Sequence, residues 1–389
     1  MEKVSNTAYS VGCDDYDIDL FESQYKVPHG IAYNSYLIQS ETGVNLLVDT
    51  VDKRKAQEWL ENVEEVLNGQ PLNYLLIQHL EPDHSGSIDV ILNAHPEATV
   101  VCSAKAWQMM ENFAVSTIAP EKRLTVKEGD TLDLGDRLLH FVQAPMVQWP
   151  EVIVTYDDKD KVLYSADAFG KFGTRDADEP WEEEARRYFL NIVGKYGNPV
   201  QTLLKKAANL DIQTIAATHG PLLKDNLGHY ISLYDTWSSY RPEKDGILVL
   251  VASIHGHTNV VAHKMVEILE AKGQTVKLMD ITRCDIHEAV AQCFVYPKVL
   301  LLASSYDAGV FPPMERLLTL LTHKAFQKRT IAMIQNGSWA PTAANAMKKI
   351  LEPCANLQYV EPVVTIKALL KDSDLPALEQ LADNLIAAE

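Results

Sequence analysis

The stretch NYLLIQHLEPDHSGS (73–87) decides the reading. It begins as a short apolar run of the kind that forms a buried strand. The run passes directly into His79-Leu80-Glu81-Pro82-Asp83-His84. So many potential metal ligands, packed together at the end of a buried strand, point to a metal site rather than to an exposed polar loop. On an extended chain alternate side chains share a face. His79, Glu81 and Asp83 are therefore expected to converge, with His84 pointing elsewhere, toward a second metal or its surroundings. Two further candidates follow apolar strands in the same way: Asp167 in YSADAFG (164–170) and His219 in AATHGP (216–221). A carboxylate at 167 is placed to bridge two cations.

Around this stretch the chain divides. Strand patterns dominate the first part, among them AYNSYLIQ (32–39), VNLLVDT (44–50), ATVVCSA (98–104), HFVQAP (140–145), EVIVTY (151–156) and KVLYSADA (161–168). Many strands with few intervening helices imply two sheets sandwiched between helices, an αββα arrangement. The polar segment SSYRPEKDG (238–246) reads as a linker. Beyond it strands and helices alternate regularly, from GILVLVAS (246–253) through AANAMKKILE (343–352), which predicts a flavodoxin-like open parallel sheet. The expected domains are 1–245 and 246–389. Charge divides with them. From Gly246 onward there are 13 basic and 14 acidic residues, so nearly all of the net −18 lies before it.

A net charge of −18 argues against nucleic acid and anionic membranes as partners. The apolar runs are too short for a membrane helix, and MEKVSNTAYS lacks the basic start and apolar run of a secretory signal. The 5 cysteines are scattered and form no C-x-x-C pair. A cytoplasmic protein is expected, without a disulfide framework.

The ligand pattern resembles the metallo-β-lactamase fold, whose hydrolases carry H-x-H-x-D-H. Here Glu81 stands at the second His position, and added carboxylates favour iron or manganese over zinc. H-x-E-x-D-H, with YNSYLI (33–38), HLEPDHSGS (79–87), SADAFG (165–170) and HGP (219–221) in this order, resembles the flavodiiron proteins. The resemblance covers essentially the whole chain. It implies that His79 and Glu81 hold one iron, Asp83 and His219 the other, that Asp167 bridges, and that His84 lies near the second iron. One position departs. Where the family has a histidine ligand in P-M-x-H-W-P, this chain reads Pro145-Met146-Val147-Gln148-Trp149-Pro150. Gln148 offers only a neutral amide oxygen, which leaves a weaker first site, a water in its place or a mixed-metal site as alternatives. His29 is expected near the site, behind the ligands rather than among them.

In the second part, Ser253-Ile254-His255-Gly256-His257-Thr258-Asn259 joins a strand to a helix. Hydroxyls and free N–H groups at a helix N-terminus suit an anion, and S-x-x-G-x-T-N resembles the FMN phosphate loop of flavodoxins. Two later loops complete the expected flavin site: Ser304, Ser305, Tyr306, Asp307 and Gly309 after one strand, and Asn336, Gly337, Ser338 and Trp339 after the next. Tyr306 and Trp339 are placed to lie against a flavin ring. The resemblance implies FMN, two non-haem iron ions and an oxidoreductase reducing dioxygen to water, nitric oxide to nitrous oxide, or both. It further implies electrons from a separate rubredoxin-like donor and a head-to-tail homodimer or dimer of dimers. Two other readings stand beside it: a flavin electron carrier with an impaired metal site, motivated by Gln148, and a metal-dependent hydrolase with an accessory domain.

Overall fold

A computed structural model of the chain describes residues 2–113 and 117–388. The chain packs as two compact units, one of Met1–Phe189 with Asn198–Asp235, the other of Leu190–Gly197 with Thr236–Glu389. The second unit thus takes an eight-residue piece from inside the first unit's stretch of sequence, which periodicity does not reveal.

The first unit is built on two sheets. One has the order Glu2–Lys3, Ala8–Ser10, Tyr36–Gln39, Asn45–Val48, Tyr74–Leu76, Thr99–Ser103, Arg123–Val126. The other has the order Thr131–Asp133, Leu138–Gln143, Ile153–Asp157, Val162–Tyr164, Thr214–Ala216. Ile38, Leu46, Val48, Leu76 and Val101 of the first sheet share one buried cluster with Leu139, Phe141, Ile153, Val162 and Ala216 of the second. The alternation of apolar residues along each strand therefore seals the two sheets face to face.

The second unit has a parallel sheet in the order Val276–Asp280, Ile247–Ala252, Lys298–Tyr306, Thr330–Asn336, extended by Gln358–Tyr359 and Val364–Ile366 along the last. This is the flavodoxin-like strand order, with the switch point between the first and third strands. Every residue of Ile247–Ala252 is buried, as expected of a parallel strand covered on both faces. Ile247, Val249 and Val251 pack with Leu300, Leu302, Ala332 and Ile334 against the helices His257–Ala271 and Leu375–Ala387. Among the described residues no helix is long and apolar enough to cross a membrane.

Candidate metal centre and flavin cleft

The segment 79–84 leaves the carboxyl end of a central parallel strand, Tyr74–Leu76. The buried Asp49 carboxylate accepts the Gln78 N–H at 2.7 Å and the His79 N–H at 3.4 Å, which fixes the exit. Burial pushes the Asp49 carboxyl up to about 6, against the pull of His84 and Gln78. Glu81 is extended (φ −57°, ψ 138°), as a residue before proline tends to be. Pro82 then starts a one-turn helix, Pro82–Ser85. The expectation that His79, Glu81 and Asp83 share one extended face is therefore corrected: the turn carries Asp83 away from His79 and sets it beside His84. Gly86 ends the turn so close to the backbone that a Cβ would lie 2.5 Å from the Pro82 carbonyl oxygen.

Two groups of ligand atoms result. Asp83, His84 and His219 form one, and His79, Glu81 and Asp167 the other; within each group the ligand atoms lie within 4.8 Å of one another. Asp167 stands between them. Its Oδ2 is 3.5 Å from His79 Nε2, and its Oδ1 is 3.2 Å from His84 Nε2 and 4.0 Å from His219 Nε2. Asp83 Oδ2 lies 3.2 Å from His84 Nε2 and 3.3 Å from His219 Nε2. Burial pushes the Asp167 carboxyl up, but the His79 and His84 imidazoles outweigh it and hold the group well below the usual carboxylate range.

Partners behind these groups fix their orientation. Glu151 Oε1, fully buried, accepts from His79 Nδ1 and from the Leu80 N–H, both at 2.8 Å. A carboxylate can only accept, so His79 carries its proton on Nδ1 and turns Nε2 inward. The Ala32 carbonyl does the same for His219, accepting from Nδ1 at 2.7 Å. Thr218 donates its hydroxyl to Asp167 Oδ1 at 2.7 Å. Asn34 braces the loop before and after His219 by donating to the Ala217 and Gly220 carbonyls.

The donor set fits cations. Asp83 Oδ1 and Oδ2, His84 Nε2, His219 Nε2 and Gln148 Oε1 are buried without a hydrogen-bond partner. Unpaired polar atoms of this kind are costly inside a protein, and their convergence is what a dinuclear cation site requires. Gln148 reaches the same place, donating from Nε2 to Glu81 Oε2 at 2.9 Å. His29 does not. Its side chain is 59% exposed and faces Glu179 at 3.6 Å, so the expectation of a place behind the ligands is corrected.

Phe21, Tyr33 and Tyr188 surround His219, with ring centroids 5.3, 6.2 and 5.5 Å from it. A mouth of about 270 Å³ opens over Glu81 and Asp83 between Leu20, Glu22, Tyr33 and Arg54. Arg54 donates to the Tyr33 hydroxyl at 2.7 Å and is held by Asp52 at 3.1 Å.

In the second unit the three expected loops meet at one end of the sheet around a cleft of about 590 Å³. Its lining includes Ser253, His255, His257, Thr258, Ser304, Ser305, Tyr306, Asp307, Asn336, Gly337, Ser338 and Trp339. Gly256, Asn259 and Gly309 do not line it. Gly256 (φ +88°) makes the turn before the helix His257–Ala271, a conformation glycine adopts without strain. Asn259 instead donates to Asp280 at 3.1 Å, and Gly309 closes a hairpin with Tyr306. Ser253 Oγ accepts from the Gly256 and Thr258 N–H groups at 3.0 and 3.2 Å, and Ser305 Oγ accepts from Thr342 and Ala343. Tyr306 is 45% and Trp339 92% exposed, at the rim.

Sequence reasoning missed Glu151, Thr218, Asp49 and Tyr188. The signal for Glu151 was its place as a lone acid two residues before the buried strand Ile153–Asp157.

Comparison with known proteins agrees with both halves. Residues 31–220 match the ODP family beta lactamase and residues 249–373 match Flavodoxin. Diflavin flavoprotein A 2 of Synechocystis is 28% identical over 96% of this chain, which spans 64% of that relative's length. The anaerobic nitric oxide reductase flavorubredoxin of Salmonella arizonae is 28% identical over 97% of this chain and 79% of its own. The rubredoxin oxygen:oxidoreductase of Desulfovibrio gigas superposes with a TM-score of 0.91, at 23% identity over 100% of both chains. A flavodiiron protein of Giardia intestinalis does so with the same score, at 23% identity over 99% of this chain and 97% of that one. This chain thus carries a β-lactamase-like domain followed by a flavodoxin domain, the pairing implied by its resemblance to the flavodiiron proteins.

Proposed function

We propose that this chain is an oxidoreductase that reduces dioxygen to water, nitric oxide to nitrous oxide, or both, with electrons entering from an external rubredoxin-like donor through FMN and ending at a pair of iron ions. The observation that carries the reading is Asp167, buried between two groups of converging ligands whose inward-facing atoms lack other partners. On this reading residues 1–245 are the diiron domain and 246–389 the FMN domain. His79 and Glu81 would hold one ion, Asp83, His84 and His219 the other, and Asp167 would serve both.

When bound, the flavin relays electrons and the iron pair supplies an open coordination position with a change of redox state. The chain's own residues do the rest. Glu151 and the Ala32 carbonyl keep the His79 and His219 lone pairs turned inward. Thr218 holds one Asp167 oxygen in place. Phe21, Tyr33 and Tyr188 keep bulk water from the His219 side, and the mouth is wide enough for a diatomic gas. In the second unit Ser253 Oγ accepts from the Gly256 and Thr258 N–H groups and so fixes the turn that opens a 15-residue helix, where the FMN phosphate would be held. Ile254, Tyr306, Trp339 and Leu369 leave an exposed apolar rim at and beside the flavin cleft. Such a patch suits either the donor or a second copy in a head-to-tail dimer. All five cysteines are free, which fits a reducing cytoplasm.

The test is anaerobic loading with iron(II) and FMN, followed by gas consumption with a rubredoxin-type donor. Dioxygen takes four electrons and four protons to two waters; two nitric oxides take two of each to nitrous oxide and one water. Consumption of either gas in that balance supports the reading. A protein shown to carry both irons and FMN that consumes neither gas sinks it, and tight zinc with esterase or lactamase turnover would put a hydrolase in its place.

A further inference from the structure

We propose that the two metal positions are unequal. The position of Asp83, His84 and His219 fills first and tightly, while that of His79, Glu81 and Asp167, completed by the Gln148 amide oxygen, takes a hard divalent ion weakly and exchangeably. The proposal rests on the reading of the site as a dinuclear metal centre.

The donor atoms differ in kind. The tight position has two imidazoles and two carboxylates when Asp167 is counted. The other has one imidazole and two carboxylates, with the neutral Gln148 amide beside Glu81. Oxygen-rich sets favour hard ions such as manganese(II), and bind a given first-row ion less firmly than sets with more imidazole.

Gln148 adds a specific obstacle. The residue is 7% exposed, and its Nε2 donates to Glu81 Oε2 at 2.9 Å. Its Oε1 is buried and without a partner. The amide therefore presents a donor to one ligand while its own ligating atom stays idle. Turning Oε1 onto an ion breaks a hydrogen bond to a carboxylate, which is stronger than a neutral one. Each ion entering this position must displace that bond, whereas His84 and His219 have no such bond on their inward nitrogens. An obstacle of this kind weakens an ion roughly 10- to 100-fold.

The experiment strips the full chain with a chelator and titrates it anaerobically with manganese(II) alone. Free ion is followed by its electron paramagnetic resonance signal, and retained ion is counted after gel filtration. The unmodified protein is expected to retain one ion and to bind a second with a dissociation constant about 10- to 100-fold larger. Gln148→His is expected to retain two, with the second constant falling toward the first. Two ions of equal affinity in the unmodified protein overturn the proposal, as does a Gln148→His protein whose first ion is intact and whose second is no tighter. The stepwise constants of the unmodified protein decide the inequality even if the variant misfolds. If neither protein binds any ion, the metal-centre reading itself falls, and the inequality with it.

Discussion

Replacing Glu151 with glutamine isolates the charge that holds His79. The side chain keeps its shape, and its carbonyl oxygen can still accept from His79 Nδ1 and Leu80 N–H, both at 2.8 Å. What is lost is the charge, about 1 kcal/mol for each bond on going from a charged to a neutral acceptor. The new amide nitrogen takes the place of Oε2, which is buried and has no partner, and its unsatisfied N–H groups cost about 1–3 kcal/mol more. The empty protein should therefore lose about 3–5 kcal/mol. Metal affinity responds to less of this. The Leu80 bond and the unsatisfied amide are present with or without an ion, so they cancel. Only the His79 bond counts, because the imidazole is a better ligand when its far nitrogen faces a carboxylate. About 1 kcal/mol there is a roughly fivefold weaker ion. It should fall on the ion at His79 alone, with the ion at His84 and His219 changed less than about threefold. The assay pairs stepwise metal titration with urea unfolding of the metal-free protein. Equal weakening of both ions, or destabilisation with neither ion weakened, would refute the reasoning.

Other consequences follow from partners elsewhere. Burial pushes the Asp160 carboxyl up, but the Ser5 and Thr7 hydroxyls and Arg137 hold it below its ordinary value. The unfolded chain then takes up the proton first on acidification, so this contribution is whole above about pH 4 and lost below it. Asp160→Asn should flatten the fall of the urea midpoint between about pH 5 and pH 2; curves parallel to the unmodified protein's would contradict this. Ser253→Ala removes the acceptor of two loop N–H groups, a loss of the size of a helix cap, about 1 kcal/mol. Its FMN dissociation constant should rise about fivefold while that for riboflavin, which lacks the phosphate, stays put; an equal change in both would place Ser253 outside the phosphate site. Trp339→Ala removes a side chain that is 92% exposed, so folding stability should hold within about 0.5 kcal/mol while FMN binding weakens 2- to 10-fold by fluorescence titration. Unchanged FMN affinity would mean that the ring does not meet the flavin.

Much of this was legible in the chain because it is local. The run from Asn73 to His84 shows a strand ending in ligands, and strand–helix alternation after Gly246 shows a parallel sheet whose loops gather at one end. The geometry of the site was not legible, because it depends on contacts far apart in sequence. Glu151 meets His79 across 72 residues and Thr218 meets Asp167 across 51, distances over which periodicity carries no information. The extended-face rule failed at Asp83 because Pro82 begins a helical turn, which a count of alternate residues does not register. His29 lies close to the YNSY segment in sequence yet faces Glu179 at the surface. In the flavin loop, Gly256 and Asn259 serve the backbone turn and the neighbouring strand's Asp280, roles a motif match does not separate from ligand contact.

Each group of ligands draws on both sheets of the first unit. The loop after Tyr74–Leu76 gives His79, Glu81, Asp83 and His84, while Asp167 and His219 follow Val162–Tyr164 and Thr214–Ala216 of the opposite sheet. Neither sheet alone offers a complete position to a metal. The last ligand arrives near residue 219, after both sheets have been synthesised and can close on one another. If these residues hold the metals as proposed, uptake would be deferred until that half of the chain is built, and a bound ion would certify that the sandwich has closed.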